Sequence, residues 1–206
     1  MTATTEVNVT NLQDRVVKIL TTPKTEWPVI EAESTDVATL YKSYIAILAA
    51  IPAVCSFIGG IVIGVPVPFF GTVRTPIGSA ITTLILTYVL SLASVYIAAF
   101  VIDKLAPTFD SKPNVVQALK LVAYSSTAGW VAGVLNIIPV LGIIAALAGL
   151  YGIYLFYLGL PVLMKTPEPK VIPYMVVAAI VVIVLSILVG VIVGMVVGAG
   201  AVATSL

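Results

Sequence analysis

Long stretches without a charged side chain dominate the sequence and set its architecture. They extend from Ser43 to Val73, Thr75 to Ile102, Leu121 to Met164 and Val171 to Leu206, with lengths of 31, 28, 44 and 36 residues. A charged side chain near the bilayer centre costs roughly 2.5–3.5 kcal/mol on insertion scales, so these runs are the membrane segments. One crossing needs about 20 apolar residues at about 1.5 Å of rise each. The 44-residue run is therefore too long for one helix and must fold back. Its break lies in Asn136-Ile-Ile-Pro139-Val-Leu-Gly142, where proline removes a helix donor and restrains the residue before it, and glycine permits the turn. Five spans follow, near Tyr44–Val65, Ile77–Ile102, Val116–Ile138, Leu141–Leu163 and Pro173–Gly198. The expected fold class is all-α, a polytopic membrane bundle of five helices.

Two parts are expected: an aqueous N-terminal segment, residues 1–40, and a spanning domain, residues 41–206. The connections Pro66–Pro76, Asp103–Val115 and Met164–Ile172 are too short for a further domain. In the N-terminal segment Val9, Leu12, Val16, Ile19 and Leu20 recur at helical spacing, with Asp14, Arg15 and Lys18 on the other side. Thr10 and Gln13 offer a capping box at its start. The pattern predicts a short amphipathic helix on the cytoplasmic membrane surface, its apolar face of Leu12, Val16 and Ile19 in the lipid. A second short helix from Thr25 would seat Trp27 at headgroup level with its N–H hydrated, and Ser34 or Thr35 would cap the helix entering the first span.

The few charges give the orientation. Arg15, Lys18, Lys24, Lys42, Lys104, Lys112, Lys120, Lys165 and Lys170 fall on one side of the predicted spans, and only Arg74 on the other. The positive-inside rule then puts the N-terminus in the cytoplasm and the C-terminus outside.

Composition narrows the chemistry. The chain is 60% hydrophobic and 9% charged, against about 25% charged for soluble domains, which excludes a soluble globular protein. A net charge of +1 gives no basic field for nucleic acid. Histidine is absent and Cys55 is the single cysteine, so triads and His/Cys metal clusters are excluded; no catalytic, metal or cofactor residues are expected. No titratable group lies deep in a predicted span, so a charged relay for ion-coupled transport is missing. Asp103, Lys104 and Lys120 read as boundary residues, the lysines snorkelling toward water.

Uncharged polar groups do enter the spans: Thr82, Thr83, Thr87, Ser91 and Ser94 in the second, and Tyr124, Ser125, Ser126, Thr127 and Asn136 in the third. They suit hydrogen bonds to backbone or between helices, or a polar path. Tyr151, Tyr154 and Tyr157 suit an interface belt or core. Glycine gives a sharper signal in the pairs Gly60/Gly64 and Gly129/Gly133 and in the row Gly190, Gly194 and Gly198, whose GxxxG spacing lets backbones approach closely. Packing within one subunit and self-association into a homo-oligomer both use such faces.

Several segments carry a family likeness: Ala123-Tyr124-Ser125-Ser126-Thr127, Ile138-Pro139-Val-Leu-Gly142, and Tyr151-Gly-Ile-Tyr154 leading to Gly159-Leu-Pro161-Val-Leu-Met164. With Ile19-Leu-Thr-Thr-Pro23-Lys-Thr-Glu-Trp27-Pro-Val-Ile30 ahead of the first span, the chain resembles the Yip1 domain family in its prokaryotic branch. The resemblance implies five spans, a cytoplasmic N-terminus and, by its branch, a prokaryotic cytoplasmic membrane. Eukaryotic members are linked to Rab GTPases and vesicle formation, and their acidic Asp-Leu-x-Gly-Pro motif is absent here.

The resulting expectation is a non-enzymatic integral membrane scaffold or organiser, in contact with the lipid bilayer and a membrane-associated protein partner. The alternative is a channel or carrier for an uncharged or lipid-like solute, using the hydroxyls of the second and third spans.

Overall fold

A computed structural model describes residues 9–67, 69 and 71–203. Two helices precede the spans, α1 (Val9–Thr21) and α2 (Pro23–Ala32). Five helical segments are long and apolar enough to cross a bilayer: Val37–Val62, Ile77–Phe109, Val115–Ile137, Pro139–Leu163 and Glu168–Val196. The first is α3 (Val37–Val62), which contains a π-helical turn at Tyr41–Ile45. The second contains α4 (Ile77–Leu105). The third is broken into α5 (Val115–Ser125), α6 (Thr127–Ala132) and a 3₁₀ turn, Gly133–Ile137. The fourth contains α7 (Gly142–Leu163), and the fifth belongs to α8 (Glu168–Ala203).

The turn between the third and fourth spans falls where proline and glycine put it. Ile138 is extended, Pro139 opens a 3₁₀ turn, and helix resumes at Gly142. Between α3 and α4 the chain forms a small antiparallel hairpin, Val65–Val67 with Gly71–Val73, which the span pattern did not anticipate. Gly64 (φ +93°) and Gly71 (φ +74°) supply backbone conformations that a side chain would strain.

The third span is the hub. It packs against α3, α4 and α7, and 61% of its most apolar window is buried, the largest share of the five. The dry core sits toward the α1–α2 end, where Ile19, Trp27, Ile30, Ile102, Leu119, Leu121, Leu155, Leu160 and Met164 are fully buried.

Three local expectations are corrected. Thr10 lies within α1, after its first described residue, Val9, and not ahead of the helix. Asp36, not Ser34 or Thr35, caps α3, its carboxylate accepting from the Thr39 N–H at 2.7 Å. Asp103 sits at a helix end as expected but is buried at 8% exposure.

Candidate functional site

The α1–α2 segment does not lie on the surface as a free amphipathic tail. The apolar face of α1 turns into the bundle, with Ile19 fully buried and Leu12, Val16 and Leu20 packed on the core. This replaces the expected lipid contact with protein contact, which buries the same apolar area. The Tyr151 hydroxyl, from α7, adds a hydrogen bond to the Leu20 carbonyl at 2.8 Å.

Trp27 is likewise not at a hydrated interface. It has 0% exposure, and its indole N–H has no hydrogen-bond partner among the described residues. It is seated over Gly159 of α7, where a Cβ would come within 2.8 Å of the indole ring and 2.7 Å of Leu121 Cδ1. Glycine at 159 is therefore the socket that admits the tryptophan. Tyr124 meets Trp27 edge-on at 6.3 Å between ring centroids and Tyr44 at 4.5 Å, while the Tyr44 hydroxyl pairs with Thr127 Oγ1 at 2.7 Å.

A polar clasp closes over these rings. Lys120 was expected to snorkel, yet it is 1% exposed, and its Nζ donates to the carbonyls of Ile30 at 2.7 Å and Glu33 at 2.6 Å. One turn earlier, Gln117 Nε2 donates to the Glu31 carbonyl at 3.1 Å. Both side chains, three residues apart on one face of α5, reach the C-terminal end of α2, where helix carbonyls are unpaired and the dipole favours a cation. Lys120 thus trades water for carbonyl oxygens that need a donor. Lys165 Nζ pairs with the Glu31 carboxylate at 2.9 Å.

Arg15 of α1 bridges Glu26 and Glu33. Burial alone would lower the Arg15 pKa, but Glu33, then Tyr124 and Glu26, outweigh it and hold the guanidinium above its ordinary value. Arg15 therefore stays charged, its guanidinium carbon 5.9 Å from the centre of the Tyr124 ring. The clasp walls a cleft of about 710 Å³ whose lining includes Asp14, Arg15, Lys18, Glu26 and Glu33 with the hydroxyls of Thr22, Thr25, Ser34 and Thr35.

A second concavity, about 580 Å³, lies among α3, α4, the third span and α8. It gathers Thr83, Thr87 and Ser91, which share one face of α4 at four-residue spacing, with Ser56, Thr75, Trp130 and Asn136. The hydroxyls singled out in the second and third spans do not all meet there: Ser126 bonds its own helix at Val122 O, and Ser125 Oγ is buried without a partner among the described residues.

The glycine expectations divide. Gly133 packs on Pro52, where a Cβ would come within 2.6 Å, and Gly60 faces Thr75. Gly64 serves the turn before the hairpin. Gly129, Gly190 and Gly194 have open space where a Cβ would stand, so among the described residues neither Gly190 nor Gly194 makes a close helix contact. The surroundings of Gly198 lie outside the described residues. The tightest approaches to backbone atoms are at Gly59, where a Cβ would stand 2.4 Å from the Asn136 carbonyl oxygen, and Gly152, 2.7 Å from that of Ser125. Neither stands out in the sequence, because each is set by what crosses it and not by its spacing. Pro139 and Gly142 form the inter-span turn, and Pro161 lies in the last turn of α7.

The architecture is that of a polytopic helical membrane protein whose N-terminal segment is locked onto its bundle. The model of the Yip1 domain matches residues 17–192, and the chain belongs to the Yip1 family. No curated protein and no solved structure matches it.

Proposed function

We propose that this chain is a non-enzymatic membrane organiser of prokaryotic cytoplasmic membranes that holds a membrane-associated protein partner at the cleft walled by α1 and α2. The observation that carries this reading is the clasp itself. Lys120, Gln117 and Arg15 fix the longest aqueous segment in one geometry, and preorganisation of this kind lowers the entropic cost of binding. The cleft mixes both signs of charge with hydroxyls, a lining suited to a peptide segment with its own backbone donors and acceptors. The nine-to-one distribution of Lys and Arg supports a cytoplasmic location for this end.

A photoreactive residue at Thr35, on the cleft, should give a discrete protein adduct in native membranes, whereas the same probe at Thr72, in the hairpin, should not. No adduct from Thr35, or equal adducts from both positions, would reject the reading. Cysteines at Lys112 and Thr72, both exposed, test the orientation in a Cys55→Ser background. An impermeant reagent added outside should label position 72 and spare position 112. The alternative, a channel or carrier for an uncharged or lipid-like solute, takes its support from the hydroxyl-lined groove, and a solute-dependent flux in liposomes would favour it.

A further inference from the structure

Arg74 stands apart from the other nine cations, at the opposite end of the bundle. It is exposed and makes no ion pair among the described residues. The next residue, Thr75, donates its N–H to the Gly60 carbonyl at 3.0 Å, which pins this linker to the end of α3. Two residues further, α4 begins after Pro76 with no side-chain cap. The first N–H groups of this 29-residue helix therefore lack intrahelical partners and carry its partial positive charge.

Thr75 also lines the groove of about 580 Å³ that runs from here between α3, α4, the third span and α8. Among the described residues no charged one lines it. The Thr83 and Ser91 hydroxyls donate to their own helix, at Ser79 O (2.8 Å) and Tyr88 O (2.7 Å). The side chains of Ser56, Thr87 and Asn136 make no hydrogen bond among the described residues, so they keep donors for a guest. At about 1.5 Å per residue, Thr87 lies about 15 Å below the start of α4, near mid-membrane depth. The remaining lining is apolar, including Ala49, Ala53, Phe57 and Leu84.

A cation at the interface, hydrogen-bond donors beneath it and an apolar floor follow the order of groups in a membrane lipid. We propose that this groove holds one anionic glycerophospholipid. Its phosphate meets Arg74 and the uncapped start of α4, its ester carbonyls accept from Asn136 or Ser56, and one acyl chain lies along the apolar wall past Thr87. The volume is within the range of small-molecule sites, about 300–1,000 Å³, and accommodates part of a lipid while the rest stays in the bilayer. The unpaired guanidinium favours this guest over an uncharged solute. The inference is independent of the partner proposed for the cleft at the other end.

The full chain, stripped of lipid in detergent and then exposed to mixed phosphatidylglycerol and phosphatidylcholine, should retain one phosphatidylglycerol by native mass spectrometry. Its preference over phosphatidylcholine should fall about tenfold in Arg74→Gln, as expected for losing a charge-assisted contact. Thr87→Phe, which fills the groove, should reduce retention of both lipids, and Thr87→Leu, a smaller filling, serves if the larger residue impairs folding in a thermal melt. Equal retention of the two lipids, or a preference that survives Arg74→Gln, overturns the proposal. Retention indifferent to Thr87 places the lipid outside the groove and overturns it too, as does displacement by inorganic phosphate, which would mark a simple anion site.

Discussion

At the end that carries α1 and α2, Trp27, Lys120 and Tyr174 are fully buried, whereas only 6% of the most apolar window of the fifth span is buried. The contrast runs along α8 itself. Val171, Tyr174 and Ala178 are buried, and no described residue beyond Ala178 is. Of the five spans the fifth is the most apolar and the least buried, and the third is the least apolar and the most buried, so hydropathy marks what enters the membrane but not what packs there. Lipid tails are as apolar as leucine, and helix association depends on shape and hydrogen bonds. At the clasp end those are supplied by Gly159 under Trp27, Lys120 on the α2 carbonyls, and the Tyr174 hydroxyl donating to the Ile102 carbonyl. Along outer α8 the described residues give only partial cover, as where Leu185 packs on the core.

The largest expected effect pits two glycines against each other. A side chain at Gly59 would drive its Cβ to 2.4 Å and 2.6 Å from the carbonyl oxygens of Asn136 and Ile137, which are backbone atoms in a turn fixed by Pro139. Gly59→Leu should destabilise the monomer by about 3 kcal/mol or more, at the upper end of overpacking costs. Gly190→Leu, on the open face, should stay within about 0.5 kcal/mol of wild type. Thermal unfolding of both variants in detergent checks the comparison, and similar losses would mean that the outer half of α8 packs after all. A changed oligomeric state with an intact monomer would instead assign the Gly190 face to self-association.

A smaller effect sharpens the comparison at the clasp. Lys120→Met keeps most of the length of the side chain but leaves the Ile30 and Glu33 carbonyls without their donor. Unpaired buried acceptors cost about 1–3 kcal/mol, enough to loosen α2 while the spans remain folded. Trypsin should then cut at Lys24 faster than in wild type, with the melting of the spans little changed. Arg15→Gln should act in the same direction. Unchanged cleavage in both variants would show that the apolar contacts of Ile19 and Trp27 hold the segment alone.

The sequence carried some of this architecture in local signals and not the rest. Pro139 and Gly142 act on their own backbone, so the return between the third and fourth spans was legible, as were the span count and the helix of α1. Lys120, by contrast, has no neighbour in sequence that reveals its partners, because Ile30 and Glu33 are about ninety residues away. The one-sided pattern of Leu12, Val16 and Ile19 shows that a face is buried, but it reads the same whether lipid or protein covers it. Trp27 was misplaced for that reason, and its complement, Gly159, looks like any other glycine until the indole is set upon it. The hairpin left a weak trace, glycines at both ends of Val65–Phe70, which marks a turn without naming its pairing.

The smallest expected effect concerns Asp36, where the clasp hands over to the first span. Its carboxylate accepts from the Thr39 N–H at 2.7 Å, and that bond, with a further contribution from Lys42, holds its pKa below the ordinary aspartate value. A carboxylate with a lower pKa in the folded state stabilises that state above its unfolded pKa, and the contribution is lost as pH falls through the folded value. Asp36→Asn keeps an oxygen that can cap the helix but cannot titrate. Wild type should therefore melt slightly higher than the variant near neutral pH, and the gap should close as the pH is lowered past the range in which aspartates protonate. Asp36 is wholly solvated, so salt should shrink the gap as well. A gap that stayed constant as the pH fell would show that the Asp36 charge adds nothing beyond the capping oxygen that asparagine also supplies.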